Sequence, residues 1–147
     1  MEKNITIQKK STSQNVRMLT MTAVLSAISF GLAFFEFPVP LSPSFARMDL
    51  SDLPALIGAF AYGPVSGVLI ELVKNALQLF TSSTGGIGEL ANFIMGSSFV
   101  VSAGLIYKLH KTKRTAVIAC LAASVVMGIT AAIVNYFILF PVFEAFM

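Results

Sequence analysis

Four polar residues, Glu71, Lys74, Asn75 and Gln78, stand in an otherwise apolar stretch of the chain. Their spacing of i, i+3, i+4 and i+7 places them on one face of a helix. Ionisable groups inside an apolar helix rarely face lipid; they turn to a bundle interior or a wet cavity, where they are candidates for ligand binding. The alternative is that Glu71 and Lys74 pair with each other and the two amides hold helices together. We favour a binding site, since the polar residues of three helices converge on the outer half of the membrane.

That depth follows from the neighbouring elements. Lys74 is ten residues beyond Pro64, or ~15 Å along a helix axis and so near the middle of a membrane. Gln78 and Asn92 are expected nearer the outer surface, as is Asn135, ~30 Å beyond Thr115. Lys74, Asn75 and Asn135 are therefore the first predicted substrate contacts, with Gln78 and Asn92 as further ones. A pocket that opens outward is expected, and no continuous pore.

Composition places these residues in a membrane. The 147 residues are 56% hydrophobic and 12% charged, with a mean hydropathy of +0.82, whereas soluble domains carry about 25% charged residues. Eight of the ten basic residues fall in the N-terminal tail or in the stretch 108–114, as in membrane proteins that collect Lys and Arg on the cytoplasmic side. A nucleic-acid-binding protein would spread them over a folded face. A soluble enzyme is not expected, because so short a chain cannot bury this much apolar surface.

The expected fold is an all-α, polytopic membrane helical bundle. A basic cytoplasmic tail, 1–17, precedes a single transmembrane bundle, 18–147. The apolar stretch 53–80 is divided at Gly63-Pro64, a turn signal, because an even number of crossings is needed if both basic clusters are cytoplasmic. This gives five helices, with the N-terminus cytoplasmic and the C-terminus outside. Their expected bounds are 18–35, 53–62, 64–80, 90–107 and 116–140.

Other chemistry is poorly supported. His110, the only histidine, lies in the basic loop, and Cys120 lies in an apolar span. No catalytic triad, metal site or cofactor site is therefore expected. Asp49 and Asp52 could bind a metal, but capping the next helix is the preferred interpretation. A membrane enzyme that uses these two aspartates and an oligomeric channel or structural protein are the alternatives.

Several short motifs, in this order, resemble the riboflavin-specific substrate-binding (S) subunit of energy-coupling factor (ECF) vitamin transporters. The resemblance covers residues 18–143 and includes 35–40 (FEFPVP), 49–56 (DLSDLPAL), 63–64 (GP), 72–75 (LVKN), 89–93 (ELANF) and 135–137 (NYF).

The resemblance implies a subunit that captures riboflavin, or another vitamin, from outside beneath the loop between the first two helices. Leu41 and Phe45 would contribute to the site from that loop. It also implies a transmembrane coupling subunit and two cytoplasmic ATPases as partners. Ala23 and Ala27 match the family's Ala-xxx-Ala surface for the coupling subunit. The family has a sixth helix that this sequence lacks, so we expect either a fragment or a truncated gene product, with a pocket that lacks one wall.

Overall fold

The computed structural model describes residues 2–35, 37–38, 47–48, 50–82 and 85–147, and these are almost entirely helical. A short antiparallel pairing of β1 with β2 precedes the second helix. The elements are α1 (Glu2–Ala33), β1 (Phe37–Pro38), β2 (Arg47–Met48), α2 (Asp52–Tyr62), α3 (Pro64–Gln78), a 3₁₀ turn (Leu79–Thr81), α4 (Ile87–Leu109), α5 (Lys113–Val134), a π-helical segment (Asn135–Leu139) and α6 (Phe140–Phe146).

These bounds confirm the all-α class and its five principal helices, of which the last continues through the π segment into α6. The helix α1 also includes residues 2–17, which precede the predicted first span. Among the described residues, three stretches are long and apolar enough to cross a membrane: Ser11–Ala33, Ile87–Leu109 and Lys113–Val142. The elements α2 and α3, with 11 and 15 residues, are shorter.

The break between α2 and α3 is made by Gly63. Its φ of 102° lies in the region that glycine adopts without strain. Pro64 then occupies the first turn of α3, where its missing N–H leaves no helical hydrogen bond unmade. The two short helices consequently fold back on each other and pack together.

The centre of the bundle is α3, which packs against α1, α2 and α4, while α5 packs against α4. Small residues bring the axes close: a Cβ on Gly67 would lie 2.8 Å from the Ala59 Cβ, and one on Gly104 would lie 3.2 Å from the Pro64 Cγ. A hydrogen bond of 2.8 Å between the buried hydroxyls of Thr22 and Ser66 joins α1 to α3.

The exposed faces of the helices are apolar. On α5, for example, large aliphatic side chains are more than half exposed, among them Val117, Leu121, Val125, Ile129 and Ile133. Such a surface is unsuited to water but matches hydrocarbon. Together with the three long apolar helices, it gives the chain the character of a multi-pass membrane protein.

Candidate functional site

The polar face of α3 surrounds a buried lysine. The Lys74 ammonium has no exposed surface and lies 2.7 Å from Asp52 Oδ1 and 2.8 Å from Glu71 Oε2. It also donates to Ser51 Oγ at 3.0 Å. An ammonium has three N–H donors, and here three acceptors surround it. We call Ser51, Asp52, Glu71 and Lys74 the ion cluster.

The ion cluster joins three helices at one level of the membrane. Lys74 is ten residues above Pro64, and Asp52 is ten residues from Tyr62 on the antiparallel α2, so both lie ~15 Å from the turn at Gly63. Ser29 of α1, which is fully buried, donates its hydroxyl hydrogen to the Ser51 carbonyl oxygen. The chain that enters α2 therefore reaches well into the bundle, where protein groups rather than lipid satisfy its backbone.

Glu71 is accommodated by a glycine on the facing helix. A Cβ at Gly96 would lie 2.5 Å from Glu71 Oε2 and 2.8 Å from its carboxyl carbon, so only glycine leaves room for the carboxylate. Glu71 Oε2 accepts from Lys74, whereas Oε1 is buried and has no hydrogen-bond partner in the described part of the chain. With all three groups ionised, Asp52, Glu71 and Lys74 carry a net charge of −1.

Asn75 lies between the ion cluster and an open cleft. Its side chain is 5% exposed, and Nδ2 donates to the Glu71 carbonyl oxygen at 2.8 Å and to Glu71 Oε2 at 3.3 Å. Oδ1 is buried without a partner among the described residues. The cleft has a volume of about 490 Å³ and mainly apolar walls, formed by Leu72, Asn75, Ala76, Leu79, Gly85, Gly86, Ile87, Glu89, Leu90 and Phe93.

The other predicted contacts are more widely distributed. Gln78 is half-buried one turn beyond Asn75, and its Oε1 also lacks a partner in the described ranges. The antiparallel contacts of Gly104 with Pro64 and of Gly96 with Glu71 place the half-buried Asn92 level with Asn75. Asn135, also half-buried, begins the π segment, which packs against α4.

Not every predicted site residue can be located. Leu41 and Phe45, predicted in the loop between the first two helices, lie outside the described residues. The structure thus brings Lys74, Asn75 and Gln78 together on α3 and places Asn92 level with Asn75 on α4, while Asn135 lies in the π segment that packs against α4.

The two faces of α1 differ in character. Thr22, Ser26 and Ser29 are buried against the rest of the bundle, whereas Ala23 and Ala27 are exposed. Two small residues one turn apart leave a shallow surface on which another helix can approach closely.

Sequence reasoning missed part of the ion cluster. Asp52 was expected to cap α2, but its carboxylate instead accepts from Lys74. Ser51, the residue at the N-cap position, makes no capping side-chain hydrogen bond and also accepts from Lys74. The length of α2 could have revealed these two partners of Lys74. A helix of 11 residues covers only about half of a ~30 Å membrane core, so its outer end has to lie at the depth of Lys74.

A bundle of membrane helices with a buried polar site beside an open cleft is typical of small integral membrane binding proteins. Comparison with known proteins identifies which family of such proteins this chain belongs to. A sequence model of the family described as "ECF transporter, substrate-specific component" matches residues 17–147. The chain belongs to this family.

Relatives and a solved structure agree. The chain is similar to the riboflavin transporter RibU of Staphylococcus aureus (strain TCH60), with 39% identity over 92% of this chain and 71% of that protein. It is 33% identical to the riboflavin transporter FmnP of Bacillus subtilis (strain 168), over 90% of this chain and 71% of that one. It also resembles the solved S component of a bacterial ECF transporter, with a TM-score of 0.82 and 39% identity over 89% of this chain and 77% of that chain.

Family membership settles several predictions. The resemblance inferred from the short motifs is confirmed, and so is the prediction of a transporter component rather than an enzyme. The chain is a multi-pass membrane protein, and as a substrate-specific component it works with the other components of an ECF transporter.

Proposed function

We propose that this chain captures riboflavin, or a closely related flavin, from outside the cell as the substrate-binding subunit of an ECF importer. The observation that carries the identity of the substrate is the 39% identity, over 92% of the chain, to a riboflavin transporter. A second riboflavin transporter, 33% identical, supports the same substrate.

The geometry of the site suits such a ligand. Riboflavin combines a flat aromatic ring system, which has apolar faces and a polar imide edge, with a polyol tail. Binding sites for molecules of this size are mostly apolar and use a few fixed polar groups for orientation. The cleft offers walls such as Leu79, Ile87 and Phe93, with the acceptor of Asn75 at its edge.

The predicted substrate contacts remain proposals. They are Lys74, Asn75, Gln78, Asn92, Asn135, Leu41 and Phe45. Lys74 is the least direct of them, because all its hydrogens are engaged, and it would contact substrate only by exchanging one of its present acceptors. Its role would otherwise be to hold the polar face of α3 in place.

A flavin titration of the purified protein in detergent tests this function. Riboflavin fluorescence should be quenched saturably at micromolar concentration or below. Asn135→Ala should weaken binding several-fold, through loss of a hydrogen bond of ~1 kcal/mol, whereas Val125→Ala, on the lipid-facing surface of the same helix, should not. Absence of saturable quenching by the wild-type protein would argue strongly against riboflavin, and saturable binding of a different vitamin would identify another substrate.

We further propose that the protein resides in the cell membrane with its N-terminus in the cytoplasm. The concentration of basic residues in the tail and in 108–114 supports this orientation. A cysteine introduced by Lys111→Cys in a Cys120→Ala background should react with an impermeant reagent only after the cells are opened. Labelling of intact cells would reverse the orientation.

The proposed partners are a transmembrane coupling subunit and two cytoplasmic ATPases, which would drive delivery of the vitamin. Exposure of Ala23 and Ala27 on α1 supports this face as the contact with the coupling subunit. Ala27→Leu should leave flavin binding by the isolated chain intact and reduce riboflavin uptake by cells at least tenfold, since a bulky side chain prevents close approach of helices. Unchanged uptake would remove this face from the proposed interface.

A further inference from the structure

The side-chain amide of Asn75 has a fixed orientation. Both of its neighbours on the Glu71 side, a backbone carbonyl oxygen and a carboxylate oxygen, accept hydrogen bonds. An ionised carboxylate and a carbonyl cannot donate, so the NH₂ group of Asn75 has to face them. Oδ1 must then point away from Glu71, and Asn75 presents an acceptor alone, not the donor-and-acceptor pair that an amide can offer.

A second acceptor follows along the same helix face. Gln78 is three residues beyond Asn75, ~4.5 Å further along the axis of α3. Its Oε1 is buried and, in the described part of the chain, has no donor. A buried acceptor left without a donor is unfavourable, so a ligand that supplies donors to both oxygens would gain from each of them.

The two ends of riboflavin differ in what they can supply. The imide edge of the ring presents a single N–H between two carbonyl oxygens, so it can donate to only one of the Asn75 and Gln78 oxygens and leaves the other facing a carbonyl oxygen without a hydrogen between them. The polyol tail carries a row of hydroxyl groups, each of which can donate. Two successive acceptors along a helix therefore match the tail and oppose the imide edge.

From this we infer that Asn75 and Gln78 form a subsite for the polyol tail of the flavin, with Glu71 as the positioning residue that fixes the Asn75 amide. The inference rests on the proposed function and adds the direction in which the ligand lies: the tail runs along α3, and the ring lies against apolar walls. Donor-bearing hydroxyl groups are the chemistry that this subsite selects.

Three flavins distinguish recognition of the polyol tail from recognition of the imide edge. Riboflavin has both ends intact, lumiflavin has a methyl group in place of the tail, and riboflavin methylated at the imide nitrogen has lost the ring N–H only. Each is titrated by fluorescence quenching against the wild-type protein, Asn75→Ala and Gln78→Leu. Val73→Ala, a lipid-facing change on the same helix, is the matched control.

The expected pattern is selective. Asn75→Ala should raise the dissociation constants of riboflavin and of the imide-methylated flavin roughly tenfold, which is the equivalent of one hydrogen bond of ~1.4 kcal/mol. The dissociation constant of lumiflavin should stay within about twofold of its wild-type value. Gln78→Leu, which breaks no hydrogen bond of the described structure, should show the same pattern. Val73→Ala should leave the dissociation constants of all three flavins unchanged.

Other patterns overturn the subsite. If lumiflavin binds the wild-type protein as tightly as riboflavin, the tail is not recognised. If Asn75→Ala weakens all three ligands equally, Asn75 acts through the fold and makes no contact with the tail. If imide methylation removes the sensitivity to Asn75→Ala, the ring lies there instead. Failure of the wild-type protein to bind any flavin would refute the proposed function itself, which is a separate result.

Discussion

Lys74→Met removes the only cation of the ion cluster while keeping the length of the side chain. Glu71, which is fully buried, and Asp52, whose side chain is 22% exposed, would then face each other without a counter-charge. Breaking a buried ion pair by removing one partner costs ~3–5 kcal/mol, because the remaining charge is desolvated and unpaired. At ~2–4 °C per kcal/mol for a chain of this size, the midpoint of thermal unfolding should fall by on the order of 10 °C.

The assay is thermal unfolding in detergent, followed by size-exclusion chromatography of the heated protein. Lys111→Met makes the same substitution at an exposed position and should stay within ~0.5 kcal/mol of wild type. The triple variant Asp52→Asn, Glu71→Gln, Lys74→Met removes every charge of the cluster and should recover most of the loss. If Lys74→Met unfolds at the wild-type temperature, or if the triple variant is less stable than the single one, the Lys74 charge does not stabilise the buried carboxylates.

Two further predictions use the same unfolding assay. Gly96→Ala should destabilise the protein because its Cβ would lie 2.5 Å from Glu71 Oε2, whereas Gly128→Ala, with nothing within 4 Å, should not; equal melting temperatures would show that Glu71 moves aside freely. Ser29→Ala should lower the free energy of unfolding by ~0.5–1.5 kcal/mol, because it removes the buried hydrogen bond to the Ser51 carbonyl oxygen. Ser124→Ala, which removes an exposed bond within α5, should cost less, and the reverse order would contradict the anchoring role of Ser29.

Much of the fold could be predicted from the sequence. Apolar stretches between basic clusters identify a membrane bundle, and the Gly63-Pro64 pair marks the division between α2 and α3 because only glycine adopts that backbone conformation freely. The π segment at Asn135 could not be predicted, because a hydrogen-bonded turn that is one residue longer than in an α-helix has no recognisable pattern in an apolar sequence.

The site was predictable in part. The spacing of Glu71, Lys74 and Asn75 fixes one helix face and so brings these residues together. The partnership with Asp52 depends on how two short helices pair in space, which local patterns do not encode. The orientation of the Asn75 amide also escapes sequence reasoning, because it follows from two hydrogen bonds to Glu71.

The close packing near the turn at Gly63 has a consequence for transport. There Gly67 rests on Ala59, and Gly104 rests on Pro64, with no room for an added methyl group at Gly67. This close packing of α2, α3 and α4 lies between a ligand held beside Asn75 and the end of the bundle at Gly63. Delivery to the opposite side of the bilayer requires either that α2, α3 and α4 separate or that the whole body changes its position in the lipid.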